Sequence, residues 1–125
     1  MQLFLIIGGI MAFLFVAIGA FGAHALEARL EELGRTATFE TGVQYHMIHA
    51  LAIVAVAILT QHLEASGLLY GAGWAFTIGI IIFSGSLYVL SLTGIGILGA
   101  ITPIGGLAFL TGWVLLVIAA VSGGA

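Results

Sequence analysis

The placement of charge constrains this chain more than anything else in it. Of its seven Asp, Glu, Lys and Arg residues, six fall between Glu27 and Glu40, and the seventh is Glu64. Long apolar stretches run on either side, so that 62% of the residues are hydrophobic and the mean hydropathy is +1.33. A chain of 125 residues cannot hide that much apolar surface in a water-soluble core, and the solvent for its helices is therefore lipid. The same count excludes other classes. There is no lysine, the two arginines sit beside four glutamates, and the net charge is -3, so the electrostatic footprint of a nucleic-acid binder is missing. The absence of cysteine removes disulfides, thiolate nucleophiles, iron–sulfur clusters and cysteine zinc sites.

Span lengths set the topology. Residues 3–23 carry no charge and, at about 1.5 Å per residue, reach about 32 Å, a full crossing of the hydrocarbon core. Ala23-His24-Ala25 has the small-x-small form of a signal-peptidase site, but no basic residue precedes the run and the run is long for a signal core. It reads as a first transmembrane helix. Leu26, Leu30 and Leu33 then recur on one helical face with charges elsewhere, as in a short amphipathic helix on the membrane surface. Glu31 and Arg35 are spaced to pair, Gly34 to stop that helix and Thr36 to cap the next.

The second crossing has only ten purely apolar residues, Ala50 to Leu59, where a helical span needs about twenty. It must extend over residues 43–62, which draws Gln44, Tyr45, His46 and His49 below the lipid surface, where polar side chains need partners. A third crossing fits residues 68–92, with Gly71, Ala75 and Gly79 as a smooth packing stripe and Thr93-Gly94 as its end. The fourth fits residues 102–121, with Thr102 as cap, Pro103 in the first helical position and Ala108 and Gly112 as a second stripe. The expected fold is one all-α domain, an integral membrane four-helix up-and-down bundle with an interfacial helix between its first two crossings. The arginines lie in that first connection, which the positive-inside tendency places in the cytoplasm with both termini outside.

On this topology His24, His46, His49, Ser84, Ser86, Tyr88 and Thr102 share one half of the membrane. Counted back from Gly94, Ser84 is about 15 Å deep and Tyr88 about 9 Å, and His49 lies about 9 Å below Val43. His46 and His49, three apart, face one way on a helix. Such a cluster can specify how the helices fit, bind a metal or haem through His24, His46 and His49, or line a path for protons or a small solute. No H-E-x-x-H spacing is present. The serines lack a strand-turn-helix setting, and no carboxylate lies within a span to orient a histidine, so an enzyme is not expected. Trp74 and Trp113 read as packing or interface anchors.

Five ordered blocks carry a family resemblance: Gly19-Ala20-Phe21-Gly22-Ala23-His24-Ala25-Leu26, Tyr45-His46-Met47-Ile48-His49-Ala50-Leu51, Phe83-Ser84-Gly85-Ser86-Leu87-Tyr88, Thr102-Pro103-Ile104-Gly105-Gly106 and Gly112-Trp113. In order and spacing they resemble the small YgdD/YwdK-like membrane proteins, to which the eukaryotic transmembrane protein 256 looks related. The resemblance covers nearly the whole chain. It implies a four-helix protein of the bacterial inner membrane and implies no activity, catalytic residue or cofactor. The leading expectation is a structural or accessory subunit in a homo-oligomer or larger membrane complex, packing through Gly71/Ala75/Gly79 and Ala108/Gly112. The alternatives are a metal or haem carrier and a proton or solute conduit.

Overall fold

The structure, a computed structural model, describes residues 2–123. It is helical throughout, with four helices long and apolar enough to cross a membrane. Helix α1 (Gln2–Ala25) is followed by the short α2 (Glu27–Leu33), then α3 (Thr36–Leu59) and α4 (Gly67–Thr93). A 3-10 stretch, Gly96–Ala100, leads into α5 (Thr102–Gly123). Two of the long helices widen locally into π-helix, α1 over Ala17–Gly22 and α4 over Ile80–Ser84.

Each end has a local cause. Gly34 and Gly94 take the left-handed conformation, with φ of 64° and 72°, and close α2 and α4 as glycine does at helix C-termini. Three sequence expectations need correction here. Thr36 does not cap α3 but is its first helical residue, after Arg35 at the N-cap, and no side chain caps the helix. The helix thus begins seven residues ahead of the 43 boundary, and Phe39, only 2% exposed, secures this polar first turn by packing on Tyr88. Thr102 likewise is the first residue of α5, and its hydroxyl turns back to the Leu98 carbonyl at 3.4 Å. Arg35 does not pair with Glu31, because the left-handed turn at Gly34 carries it off the α2 surface. The ion pair on α2 is Arg29–Glu32 at 3.6 Å, between exposed side chains.

Arg29 also donates from Nε to the Leu92 carbonyl at 3.2 Å. A cation thereby meets the C-terminal end of α4, where the helix dipole is negative. Leu30 is buried and Leu33 approaches Gly94, so the apolar face of α2 lies against the bundle.

The crossings pack in sequence, α1 on α3, α3 on α4 and α4 on α5, and they alternate in direction. Phe4, at the start of α1, lies edge-on to Tyr70 and Trp74 near the start of α4. Gly42, early in α3, lies against Tyr88 and Leu87 late in α4, and Gly105, early in α5, against Phe83. The largest seam is α4–α5. Phe109 fills the space over Gly79, Phe76 that over Gly112, and Leu115 approaches Gly71. The glycines of both stripes are thus filled by large side chains of the facing helix within the one chain, where the expectation was packing between chains. Close approach of this kind is how helices associate where lipid is as apolar as the side chains. Ala75 and Ala108 flank the seam half-buried.

A candidate intramembrane polar site

The polar residues of the spans form hydrogen bonds at several levels between neighbouring helices. At the first level, the Ser84 hydroxyl donates to the Gly42 carbonyl at 2.7 Å. This bond is possible because Gly42 lets α3 and α4 come together: a Cβ there would stand 3.0 Å from the Tyr88 ring. One turn along each helix, His46 Nδ1 and the Tyr88 hydroxyl are 2.8 Å apart. Ser86 and Thr102 bridge α4 to the start of α5 at 2.6 Å, with Ser86 also 2.9 Å from the Phe83 carbonyl.

Deeper in the bundle, His49 Nδ1 is 2.8 Å from the Tyr45 carbonyl. A carbonyl only accepts, so the proton is on Nδ1 and Nε2 carries a lone pair. That lone pair receives the indole N–H of Trp113 at 3.0 Å. The ring stacks on Phe109 with centroids 3.5 Å apart and planes 7° from parallel, and it is 4% exposed. His49 is thus neutral, its tautomer is set by its neighbours, and it ties α3 to α5.

His46 differs. It is 2% exposed, yet its Nε2 has no hydrogen-bond partner among the described residues. The Met11 carbonyl of α1 approaches the ring without meeting hydrogen-bond geometry, and the Phe15 ring stands edge-on to it with centroids 6.3 Å apart.

The structure brings His46 to Tyr88, Ser84 to the α3 backbone and Ser86 to Thr102. It sends His49 to a different partner, because residues three apart on a helix diverge enough for His46 to meet α1 and α4 while His49 meets α5. His24 is exposed at the end of α1. It lines a cleft of about 360 Å³ with Glu27, Glu31 and Glu40. The three histidines do not converge, and among the described residues no group of three or more His, Cys, Asp or Glu is placed to hold a metal ion. Nothing in the span pattern pointed to Trp113 as the partner of His49, nor to the Gly42 carbonyl. The available signal was the glycine itself, a residue that lets backbones touch, one turn before His46.

A helical bundle of four crossings, with its polar groups tied between neighbouring helices, defines a small polytopic membrane protein. The sequence comparisons agree. Residues 18–106 match the family described as protein of unknown function DUF423. The chain is 51% identical to the UPF0382 membrane protein YwdK of Bacillus subtilis over 97% of its own length and 98% of that protein. It is 43% identical to a UPF0382 membrane protein of Staphylococcus haemolyticus, over 94% of both chains. With the UPF0382 inner membrane protein YgdD of Escherichia coli K12 it shares 39% identity, over 94% of this chain and 88% of the relative. The chain belongs to the UPF0382/DUF423 family and is a bacterial inner membrane protein with four transmembrane-length helices. No solved structure matches it.

Proposed function

We propose that this protein is a non-catalytic accessory subunit that acts as a preformed helical unit within a homo-oligomer or a larger membrane complex. One observation carries the reading: of the six buried polar side chains among the described residues, His46, His49, Ser84 and Ser86 hydrogen-bond to a neighbouring helix, and Thr77 and Ser91 to carbonyls of their own helix. Polar groups at membrane depth that are bonded between helices fix helix order and register. A catalytic or ligand-binding constellation needs several groups converging on one free space, and the three histidines go to different places instead.

Because the α4–α5 stripes are used internally, assembly falls to the outward faces, above all those of α1 and α5. There Phe13, Leu107 and Val121 are 71%, 64% and 77% exposed. The test is native mass spectrometry of the protein released from nanodiscs of its own membrane lipid. A defined oligomer or a stoichiometric second chain supports the proposal, and a monodisperse monomer at membrane-like protein density overturns it.

A further inference from the structure

The turn between α4 and α5 is apolar where a turn in water would carry polar groups. No Asp, Glu, Lys, Arg or His follows Glu64 in the sequence. Ile95 and Ile97 are 51% and 76% exposed, and Ile101 and Ile104 are exposed as well. The threonines on either side of the turn use their hydroxyls within the protein. Thr93 donates to the Val89 carbonyl at 2.7 Å, and Thr102 meets Ser86. The connection between α1 and α3 emerges on the same side of the membrane, yet it holds six of the chain's seven charges.

The length of α4 bears on where this turn sits. Tyr70 and Trp74 are exposed near the start of the helix, as in an aromatic belt at a membrane boundary. From Trp74 to Gly94 the helix rises about 30 Å, the thickness of the hydrocarbon core, and any tilt lowers its far end further. No length is left to lift the turn into water. Two contacts agree with that depth. Arg29 of α2 reaches the Leu92 carbonyl at 3.2 Å, and Leu33 comes within 3.6 Å of where a Cβ on Gly94 would stand. The end of α4 is thus roofed by α2 and does not project past it. A turn at this level must also satisfy its own backbone. Ile95 N–H donates to Thr93 Oγ1 at 3.3 Å, Leu98 N–H to the Ile95 carbonyl at 3.2 Å and Ile101 N–H to the Leu98 carbonyl at 3.0 Å, around the 3-10 stretch Gly96–Ala100. The exposed isoleucines continue the apolar surface that Val89 of α4 and Leu107 of α5 present to lipid.

We propose that the α4–α5 turn is a lipid-inserted anchor, with Ile95, Ile97 and Ile101 among the acyl chains just under the headgroups, in the leaflet on whose surface α2 lies. Removing these side chains from water is favourable, and the self-bonded backbone adds little cost at the hydrocarbon boundary. The charged α2 rests on the headgroup layer while the turn hooks beneath it. Anchors at the boundary set the depth and tilt of a crossing, so the pair fixes the α4–α5 hairpin in the bilayer. On that side of the membrane the segment from His24 to Glu40 is then the water-facing surface of the bundle, and a water-soluble partner meets that segment and not the turn.

Because the chain has no cysteine, single-cysteine variants can test this position by position. Ile97→Cys and Glu31→Cys, both at exposed sites, are made in the full chain, labelled with a nitroxide and reconstituted in vesicles of phosphatidylethanolamine and phosphatidylglycerol. Electron paramagnetic resonance then reads collisions with dioxygen, which concentrates in hydrocarbon, and with a water-soluble nickel chelate. Oxygen should dominate for Ile97→Cys and nickel for Glu31→Cys, so that the ratio inverts between them. A label on Ile97→Cys that favours nickel places the turn in water and overturns the proposal. A label there shielded from both reagents overturns it too, because a second copy of the chain then covers the turn. In the unsubstituted protein, a lipid spin-labelled high on its acyl chain should broaden the Ile97 methyl signals more than a water-soluble gadolinium chelate does, and the reverse order contradicts the anchor.

Discussion

Replacing Gly105 with alanine adds a Cβ that would lie 2.7 Å from Phe83 Cβ and 2.8 Å from Phe83 Cα. These are atoms of the α4 main chain and its first side-chain carbon, which no rotamer change can move, so α5 must shift bodily. At the neighbouring Gly106 the added Cβ meets only the edge of the Phe83 ring, at 3.9 Å, an ordinary contact. Both substitutions gain about 0.5–1 kcal/mol from the lower backbone freedom of alanine in a helix. Only Gly105→Ala adds an overpacking cost of about 1–3 kcal/mol. The propensity gain cancels in the comparison, leaving Gly105→Ala less stable than Gly106→Ala by about 1–3 kcal/mol, roughly 5- to 150-fold in the unfolding constant. Steric-trap or mild-denaturant unfolding in bicelles reads this difference directly. Equal stability of the two variants, or a more stable Gly105→Ala, would refute the reasoning about the α4–α5 seam.

Trp113→Phe leaves His49 Nε2 buried without a donor, and the bundle should lose about 1–2 kcal/mol, measured by the same unfolding assay. Ser84→Ala removes the α3–α4 bond to the Gly42 carbonyl and should cost about 1 kcal/mol, with slower backbone amide exchange in native protein than in the variant around Gly42. Gly34→Ala forces a side chain into the left-handed conformation at φ 64°, at about 1–2 kcal/mol, so α2 should become more protease-sensitive while the four crossings remain intact.

Lipid solvation, four crossings, the alternation of direction and the interfacial helix were legible because each follows from run lengths and from the single charged segment. The shortness of the apolar run in α3 drew His46 and His49 into the long helix, and the structure buries both rings in the bundle. What the pattern could not give was direction around the helix axis. His46 and His49 are three residues apart, which sequence reads as one face, yet α1 and α4 take the first ring and α5 the second. The small-residue stripes were legible as packing surfaces, but sequence carries no mark separating a seam inside the chain from one between chains. Their large counterparts, Phe76 and Phe109, settle it, and these look like any other apolar residues until the helices are docked. The cap expectations failed for a related reason: at Thr36 and Thr102, contacts made by Phe39 and by the Ser86 hydroxyl outweigh local capping preference.

The most direct test of the bundle's polar architecture is the ring of His49 in lipid bilayers, observed by nitrogen-detected NMR with labelled histidine and tryptophan. The expected result is a single neutral ring protonated at Nδ1, with a correlation from the Trp113 indole N–H to His49 Nε2. A ring protonated at Nε2, or one with no contact to Trp113, would contradict the α3–α5 tie on which the helix arrangement rests.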